Sequence, residues 1–233
     1  ASKTYSATLK LGQASDSFDA DGHLGPELPV PAHTEAEVRS VLARFAGEGS
    51  QVPPMYSALK HKGQRLYKLA RAGVEVERAA RPITIHSIEL EAFEPPLLRF
   101  AVHCSKGTYI RVLGGDIAQM LGTEGHLVGL RRTSLGPFTG VMHSLESLAE
   151  LADQGPGALD TALLPVDRAL EHLPAVKLDA KARDRLVQGQ QASGGDGLPA
   201  GERVRVYGPG GRFLGTGEIK QSGEVAPKRL FLP

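Results

Sequence analysis

The stretch "CSKGTYIRVLGGDI", residues 104–117, brings together the residue types most able to do chemistry. A cysteine followed by an arginine suggests a loop that wraps a phosphate and attacks it through a thiolate. Six residues, "SKGTYI", separate Cys104 from Arg111. That is too long for the phosphate loop of a cysteine phosphatase. Cys104 also falls on the apolar side of "LLRFAVHC", with Leu98, Phe100 and Val102. Burial in apolar surroundings raises a thiol pKa and makes it inert, so Cys104 reads as a packing residue. Tyr109 and Arg111 stand where a strand hands over to a helix, a position from which side chains project into a cleft. A buried arginine needs a carboxylate, because an unpaired buried charge is costly. Asp116 is the nearest candidate in sequence.

Other chemistries fare less well. Asp16, Asp19, Asp21 and Gly22 resemble a calcium loop only loosely, since the regular ligand offsets and the closing bidentate glutamate are missing. The 8 histidines are scattered, without HExxH or CxxC spacing, so no metal site is expected. The segment from Lys60 to Ala72 is different. It holds Lys60, Lys62, Arg65, Lys68 and Arg71 with no acid, and Tyr56 and Tyr67 are interleaved. Cations neutralise phosphates and tyrosine faces stack on bases, so the segment reads as an RNA contact. The plainer alternative is a solvated helix face, which usually carries both signs.

Bulk properties set the frame. The chain has 233 residues, 41% hydrophobic, with a net charge of +1, so a nucleic-acid signal must be local rather than global. No apolar run approaches a membrane span. A lone cysteine fits a reducing cytoplasm. The opening "ASKTYSATLKLG" already alternates like a strand and carries no Met, as if an upstream portion were missing.

The elements that must position these residues follow from periodicity. "TYSATLKL" predicts a half-buried strand with Tyr5, Ala7, Leu9 and Leu11 on one face. "HTEAEVRSVLARFAGEG" predicts a helix, with Thr34 and Glu37 as a capping box and Val38, Val41, Leu42 and Phe45 inward. "QVPPMYSALKHKGQRLYKLARAG" reads as a loop and a short helix. "PITIHSIEL" and "LLRFAVHC" read as strands, and "YIRVLGGDIAQMLG" as a helix with Ile110, Leu113, Ile117 and Leu121 inward. "SLESLAEL" and "DAKARDRLVQG" are further helices. "RVRVYG", "RFLGTGEI" and "APKRLFL" are strands, the first two joined by a "GPGG" turn. Composition shifts near residue 173, which suggests a domain over 1–172 and a smaller β-barrel-type domain over 173–233.

Five ordered segments together resemble the bacterial TruB-type tRNA pseudouridine synthases. They are "KTYSATLKLGQASDSFDADG", "QVPPMYSALKHKGQRLYKLARAGVEVERAARPITI", "CSKGTYIRVLGGDIAQMLG", "HLVGLRRTSLGPF" and "GTGEIKQSGEVAPKRLF". The resemblance implies an α+β fold. Its catalytic domain would hold a mixed, mainly antiparallel sheet with flanking helices, followed by a small PUA-like β-barrel domain. It implies an isomerase that flips uridine-55 out of the T-loop of tRNA and turns it into pseudouridine, without a cofactor.

On the matching positions, Tyr5 would stack on the flipped base, and Tyr109 and Arg111 belong to the "TYIR" segment, whose arginine pairs with the catalytic aspartate. Leu130 would line the uracil pocket, and Asp19 is a loop acid near the substrate. The segment holding Lys60, Lys62, Arg65, Lys68 and Arg71 would close over the T-arm stem-loop. Arg131 and Arg132 would add backbone contacts, and Lys228 and Arg229 would reach the acceptor arm. A cytoplasmic monomer is expected.

The resemblance also implies a nucleophilic aspartate in a "GxLDPxATG" segment upstream of the "KxY" strand. No Leu-Asp-Pro occurs among the 233 residues. The expectation is a catalytic domain without its N-terminal portion and a chain inactive by itself. The rival reading is a non-catalytic tRNA-binding or RNA-folding protein, or an inactive fragment of the synthase.

Overall fold

In the computed structural model, the alternating stretch near the start of the chain is strand β1 (Lys3–Leu11), with Ala7, Leu9 and Leu11 buried and Tyr5 half-buried. The structure describes residues 1–140, 142–195 and 197–231. Two units emerge, Ala1–Gly140 and Val141–Pro233.

In the first unit, β1 leads into a small ribbon of β2 (Gln13–Ser15) and β3 (Leu24–Glu27). Helix α1 (Glu35–Ala43) starts at the expected capping box. The Thr34 side chain accepts from the Glu37 N–H, and the Glu37 carboxylate accepts from the Thr34 N–H at 2.7 Å. Val38 and Leu42 are its buried residues. Then come β4 (Gly47–Gln51), a two-strand hairpin β5 (Lys60–His61) and β6 (Gln64–Arg65), and the short helix α2 (Leu66–Arg71). Long strands β7 (Arg81–Glu94) and β8 (Leu97–Cys104), helix α3 (Ile110–Met120) and strand β9 (Gly125–Leu135) complete the unit.

The main sheet runs β4-β7-β8-β1-β9, and every ladder in it is antiparallel. The mixed sheet expected from the resemblance is therefore not found here, because each neighbour returns alongside its partner. The parallel contact in this unit is an isolated bridge between Asp19 and Leu127. Leu98, Phe100, Val102 and Cys104 of β8 are buried with Ala7, Leu9 and Leu11 of β1. Val38 and Leu42 of α1 and Ile110, Leu113 and Ile117 of α3 join them in one core. Gly114 lets α3 settle close to the sheet: a Cβ there would lie 2.9 Å from Leu127 Cδ2.

The second unit opens with α4 (Leu145–Asp153), α5 (Pro156–Asp160) and a 3-10 turn at Val166–Leu170. It continues with β10 (Ala175–Lys177), α6 (Ala180–Val187), β11 (Arg203–Tyr207), β12 (Phe213–Ile219) and β13 (Val225–Leu230). The "GPGG" turn becomes a 3-10 turn at Pro209–Gly211. The last strand ends at Leu230; Leu232 of the expected "APKRLFL" strand lies outside the described residues.

The sheet order is β10-β11-β12-β13, with β10 parallel to β11 and the other pairs antiparallel. It packs α6 over a core of Val176, Leu186, Val204, Val206, Ile219 and Val225. The expected barrel is a correction: among the described residues no sheet closes on itself, since β10 and β13 remain at opposite edges of four strands. No described helix is long and apolar enough to cross a membrane.

Candidate active site

The turn between β2 and β3 is laced by its own side chains. Ser15 Oγ donates to the Asp19 carbonyl at 2.6 Å, and Ser17 Oγ donates to Asp19 Oδ1 at 2.7 Å. The Asp21 N–H donates to the same Oδ1 at 3.1 Å, and the His23 N–H donates to Asp16 Oδ1 at 2.9 Å. These are Asx-type bonds that replace a regular ladder. They give the Asp16 and Asp19 carboxylates a turn-forming role. Among the described residues, no group of three or more His, Cys, Asp or Glu is placed to hold a metal ion.

Gly22 fills the centre of the turn, where a Cβ would fall 2.3 Å from Ser17 Oγ. Phe18 adopts a left-handed backbone (φ 62), costing on the order of 1–3 kcal/mol for a bulky residue. Its ring lies against Gly115 of α3, where a Cβ would come within 2.9 Å of it. The turn is stitched to β9 by the Leu127 N–H to the Phe18 carbonyl at 3.0 Å and the Ala20 N–H to the Leu127 carbonyl at 2.9 Å. Asp19 is thus held by local bonds and by the sheet.

Arg111, in the first turn of α3, reaches into this turn. Its Nη1 donates to Asp19 Oδ2 at 2.7 Å and to the Ser17 carbonyl at 3.3 Å, and its Nη2 donates to the Tyr56 carbonyl at 2.8 Å. The partner of Arg111 is therefore Asp19 and not Asp116, the nearest acid in sequence. Both side chains are about three-quarters covered, at 24% and 27% exposure, so the pair is only partly screened by solvent. Burial pushes the Asp19 carboxyl up. Hydrogen bonds from Ser17 and Arg111, the Arg111 charge and the Asp21 N–H outweigh it and hold the carboxyl below its ordinary value.

A folded-state pKa below the unfolded value contributes stability above the unfolded value, near 3.9 for an aspartate. That contribution is lost as pH falls through the folded value. Asp19→Asn is expected to destabilise the protein by about 1–2 kcal/mol at pH 7. The gap to wild type should close as pH drops below about 4. Urea denaturation at a series of pH values measures it, and a gap that persists in acid would contradict the ionised pair.

Tyr5, Leu130 and Arg132 share one face of the β1–β9 ladder. Tyr5 is opposite Arg132 and Ala7 is opposite Leu130. That is the core face, yet Leu130 is 47% exposed, so this end of the face is left uncovered. Burial, and next the neighbouring Cys104, push the Tyr5 phenol up, against a hydrogen bond and charge from Arg132. Arg131 stands opposite Ser6 on the other face, so the two arginines read together in the sequence point to different sides. Cys104 is fully buried and burial pushes its thiol up, which agrees with a packing role.

Tyr109 caps the start of α3 without a side-chain cap of its own. Its main chain is held by Gln51, which the sequence reading did not single out. The Tyr109 N–H donates to Gln51 Oε1 at 2.8 Å, and Gln51 Nε2 donates to the Tyr109 carbonyl at 3.1 Å. Ser17, the hydroxyl that fixes Asp19, was missed as well. Neither carries a sequence signal beyond a polar residue near an element's end.

The cationic segment is more structured than a loop. Lys62 (φ 46) and Gly63 (φ 85) form the two-residue turn of the β5–β6 hairpin, both left-handed, as the primed hairpin turn requires. Lys60, Lys62, Arg65, Lys68 and Arg71 are all exposed, and the Arg71 guanidinium lies 5.6 Å from the Tyr67 ring centre. In the second unit, Lys228 is ion-paired at 2.9 Å with Glu218 Oε2, while Arg229 is exposed. Hydrogen bonds from Lys220 and Lys228 hold the Glu218 carboxyl down to about 2.

Three family models match the chain. "TruB family pseudouridylate synthase (N terminal domain)" matches residues 1–110. "tRNA pseudouridylate synthase B C-terminal domain" matches 111–171, and "Pseudouridine synthase II TruB, C-terminal" matches 174–231. A protein of Hydrogenovibrio crunogenus named tRNA pseudouridine synthase B is 47% identical over 231 residues, covering 98% of this chain and 73% of that protein. A protein of the same name from Pseudomonas aeruginosa is 43% identical over 233 residues, covering 99% of this chain and 76% of that one. Among solved structures, a Cbf5-Nop10-Gar1 complex matches 100% of this chain and 67% of its own chain, with a TM-score of 0.70 and 24% identity. At that identity the likeness is one of fold.

Proposed function

The chain belongs to the TruB family of pseudouridylate synthases, and from that premise we propose that it isomerises uridine-55 in the T-loop of tRNA to pseudouridine. One observation carries the reading: 47% identity, over 98% of the chain, to a relative named tRNA pseudouridine synthase B. The site geometry supports it. The half-buried Tyr5 and the exposed, apolar Leu130 share one face of the β1–β9 ladder, which offers an aromatic and an aliphatic surface to a flipped uracil.

Arg111 supplies the electrostatics. A guanidinium has five N–H donors, and the bonds to Asp19, Ser17 and Tyr56 occupy three of them. The donors beyond those three suit a second carboxylate, the attacking one, which the positive charge keeps ionised. The 233 residues hold no Leu-Asp-Pro segment. In this reading the attacking aspartate is supplied from outside them. It adds to the ribose C1′ or to the base, the bond from N1 to C1′ breaks, the uracil turns over and C5 bonds to C1′. The aspartate is released again as a carboxylate, C5 gives up its proton and N1 takes one up. Asp19 acts by holding Arg111 and the turn in place. Tyr5 is placed to assist the final proton transfer.

The exposed cations of the β5–β6 hairpin and α2 take the T-arm backbone. The second unit adds contacts to the acceptor arm, with Arg229 better placed than the ion-paired Lys228. The division at residue 172 is proposed as the functional one, supported by family models that end at 171 and begin at 174. A cytoplasmic monomer completes the proposal.

The test is tritium release from T-arm RNA labelled at uridine C5. The natural full-length protein should release it, and the 233 residues alone should bind the RNA without release. Binding without chemistry by the full-length protein would favour the RNA-folding reading.

A further inference from the structure

We infer that Gln51 is a positioning residue for Arg111, an inference that rests on the function proposed above. Gln51 is buried, at 6% exposure, at the end of β4. Its amide meets both main-chain groups of Tyr109, accepting from the N–H at 2.8 Å and donating to the carbonyl at 3.1 Å. That reciprocal pair copies one rung of a β-ladder with a side chain. Tyr109 lacks a side-chain cap, and its carbonyl also accepts the Leu113 N–H at 3.1 Å, the first bond of α3. Gln51 therefore fixes the two peptide groups that flank Tyr109, where the helix starts, and Arg111 lies in the first turn.

The same segment grips the other end of the arginine. Five residues after Gln51, the Tyr56 carbonyl accepts from Arg111 Nη2 at 2.8 Å. Between them Pro53 and Pro54 are buried and limit the backbone. Segment 51–56 thus holds the helix start through Gln51 and the guanidinium tip through Tyr56. A guanidinium that must face two carboxylates tolerates little displacement, because misplacement of about 1 Å can cost on the order of a hundredfold in rate. Gln51 touches no reacting atom. It acts through Arg111.

The test compares Gln51→Leu, which keeps the volume and removes both bonds, in wild-type and Arg111→Lys backgrounds of the full-length protein. In the wild-type background kcat for T-arm RNA should fall at least about tenfold, with RNA affinity within about twofold. In the Arg111→Lys background the same change should lower kcat by less than about threefold, because the group it positions is gone. An equal fall in both backgrounds, or no fall, would overturn the inference.

If Gln51→Leu does not fold, Gln51→Glu keeps acceptance from the Tyr109 N–H and loses donation to its carbonyl. A smaller fall with the same dependence on Arg111 is then expected, and an equal fall in both backgrounds would overturn the inference. A readout without turnover separates this claim from the function itself. The Arg111 Nε–H resonance, assigned through its loss in Arg111→Lys, should shift or broaden in Gln51→Leu. An unchanged resonance would sink the positioning role even if pseudouridine forms. A changed one would sustain the role even if the substrate proves different.

Discussion

Arg111→Ala is expected to lower pseudouridine formation by about a thousandfold, with RNA affinity changed by less than about threefold. The asymmetry follows from where the side chain spends its donors. All three bonds go inward, to Asp19, the Ser17 carbonyl and the Tyr56 carbonyl, and none is aimed at an exposed surface where a phosphate would lie. Removing the guanidinium leaves the Asp19 carboxylate partly buried without its counter-charge, so burial should raise its pKa toward or above the ordinary value. An attacking carboxylate at the same place would lose its ionised form and its alignment together. Arg111→Lys keeps the charge but not the fork, and should recover only part of the activity. Single-turnover kinetics with a separate binding isotherm measure both quantities. Lost affinity with unchanged turnover at saturation would show a phosphate contact instead.

The combined change Lys62→Ala, Arg65→Ala, Lys68→Ala and Arg71→Ala should have the opposite profile. These side chains are exposed on a hairpin and a short helix, with Leu66 buried beneath them, so the fold should lose little. Each phosphate contact removed lowers the slope of log affinity against log salt by about 0.7–0.9, so four give about 3. Affinity for T-arm RNA at about 0.15 M salt should fall on the order of a hundredfold, while single-turnover rate at saturating RNA changes little. An unchanged salt slope would return this segment to a solvated surface.

The sequence made the buried parts of this fold legible and left its polar scaffolding hidden. Strands β1 and β8 alternate strictly, so Leu98, Phe100, Val102 and Cys104 could be assigned to the core by period alone. The α1 capping box and the inward face of α3 were readable for similar reasons.

Strand β9 was not. "GHLVGLRRTSL" does not alternate, because the pairing with β1 shifts register between Thr8 and Leu9, and His126 and Leu127 are both buried in succession. Strand β4, "GEGSQ", has no apolar signal and becomes a strand through its partner β7. The β5–β6 hairpin was hidden inside its own charges. The C-terminal strands were readable, but their closure was not, since a period of two says nothing about whether edges meet.

At the site, residue types pointed to Arg111 and a carboxylate, while chain proximity favoured the wrong one, Asp116. The true partner, Asp19, is brought in from a turn that is stitched to β9, a contact between residues far apart in sequence. Gln51 illustrates the same limit. Its importance lies in two bonds to a main chain 58 positions away, which no local pattern can announce.

The most direct test of the central claim is to incubate unmodified tRNA with the natural full-length protein and with its Arg111→Ala variant, then map pseudouridine nucleotide by nucleotide. Pseudouridine at the T-loop uridine with the natural protein, and its absence with the variant under matched binding, is the predicted result. No pseudouridine with the natural protein, its appearance only at other positions, or full modification by the variant would contradict the account.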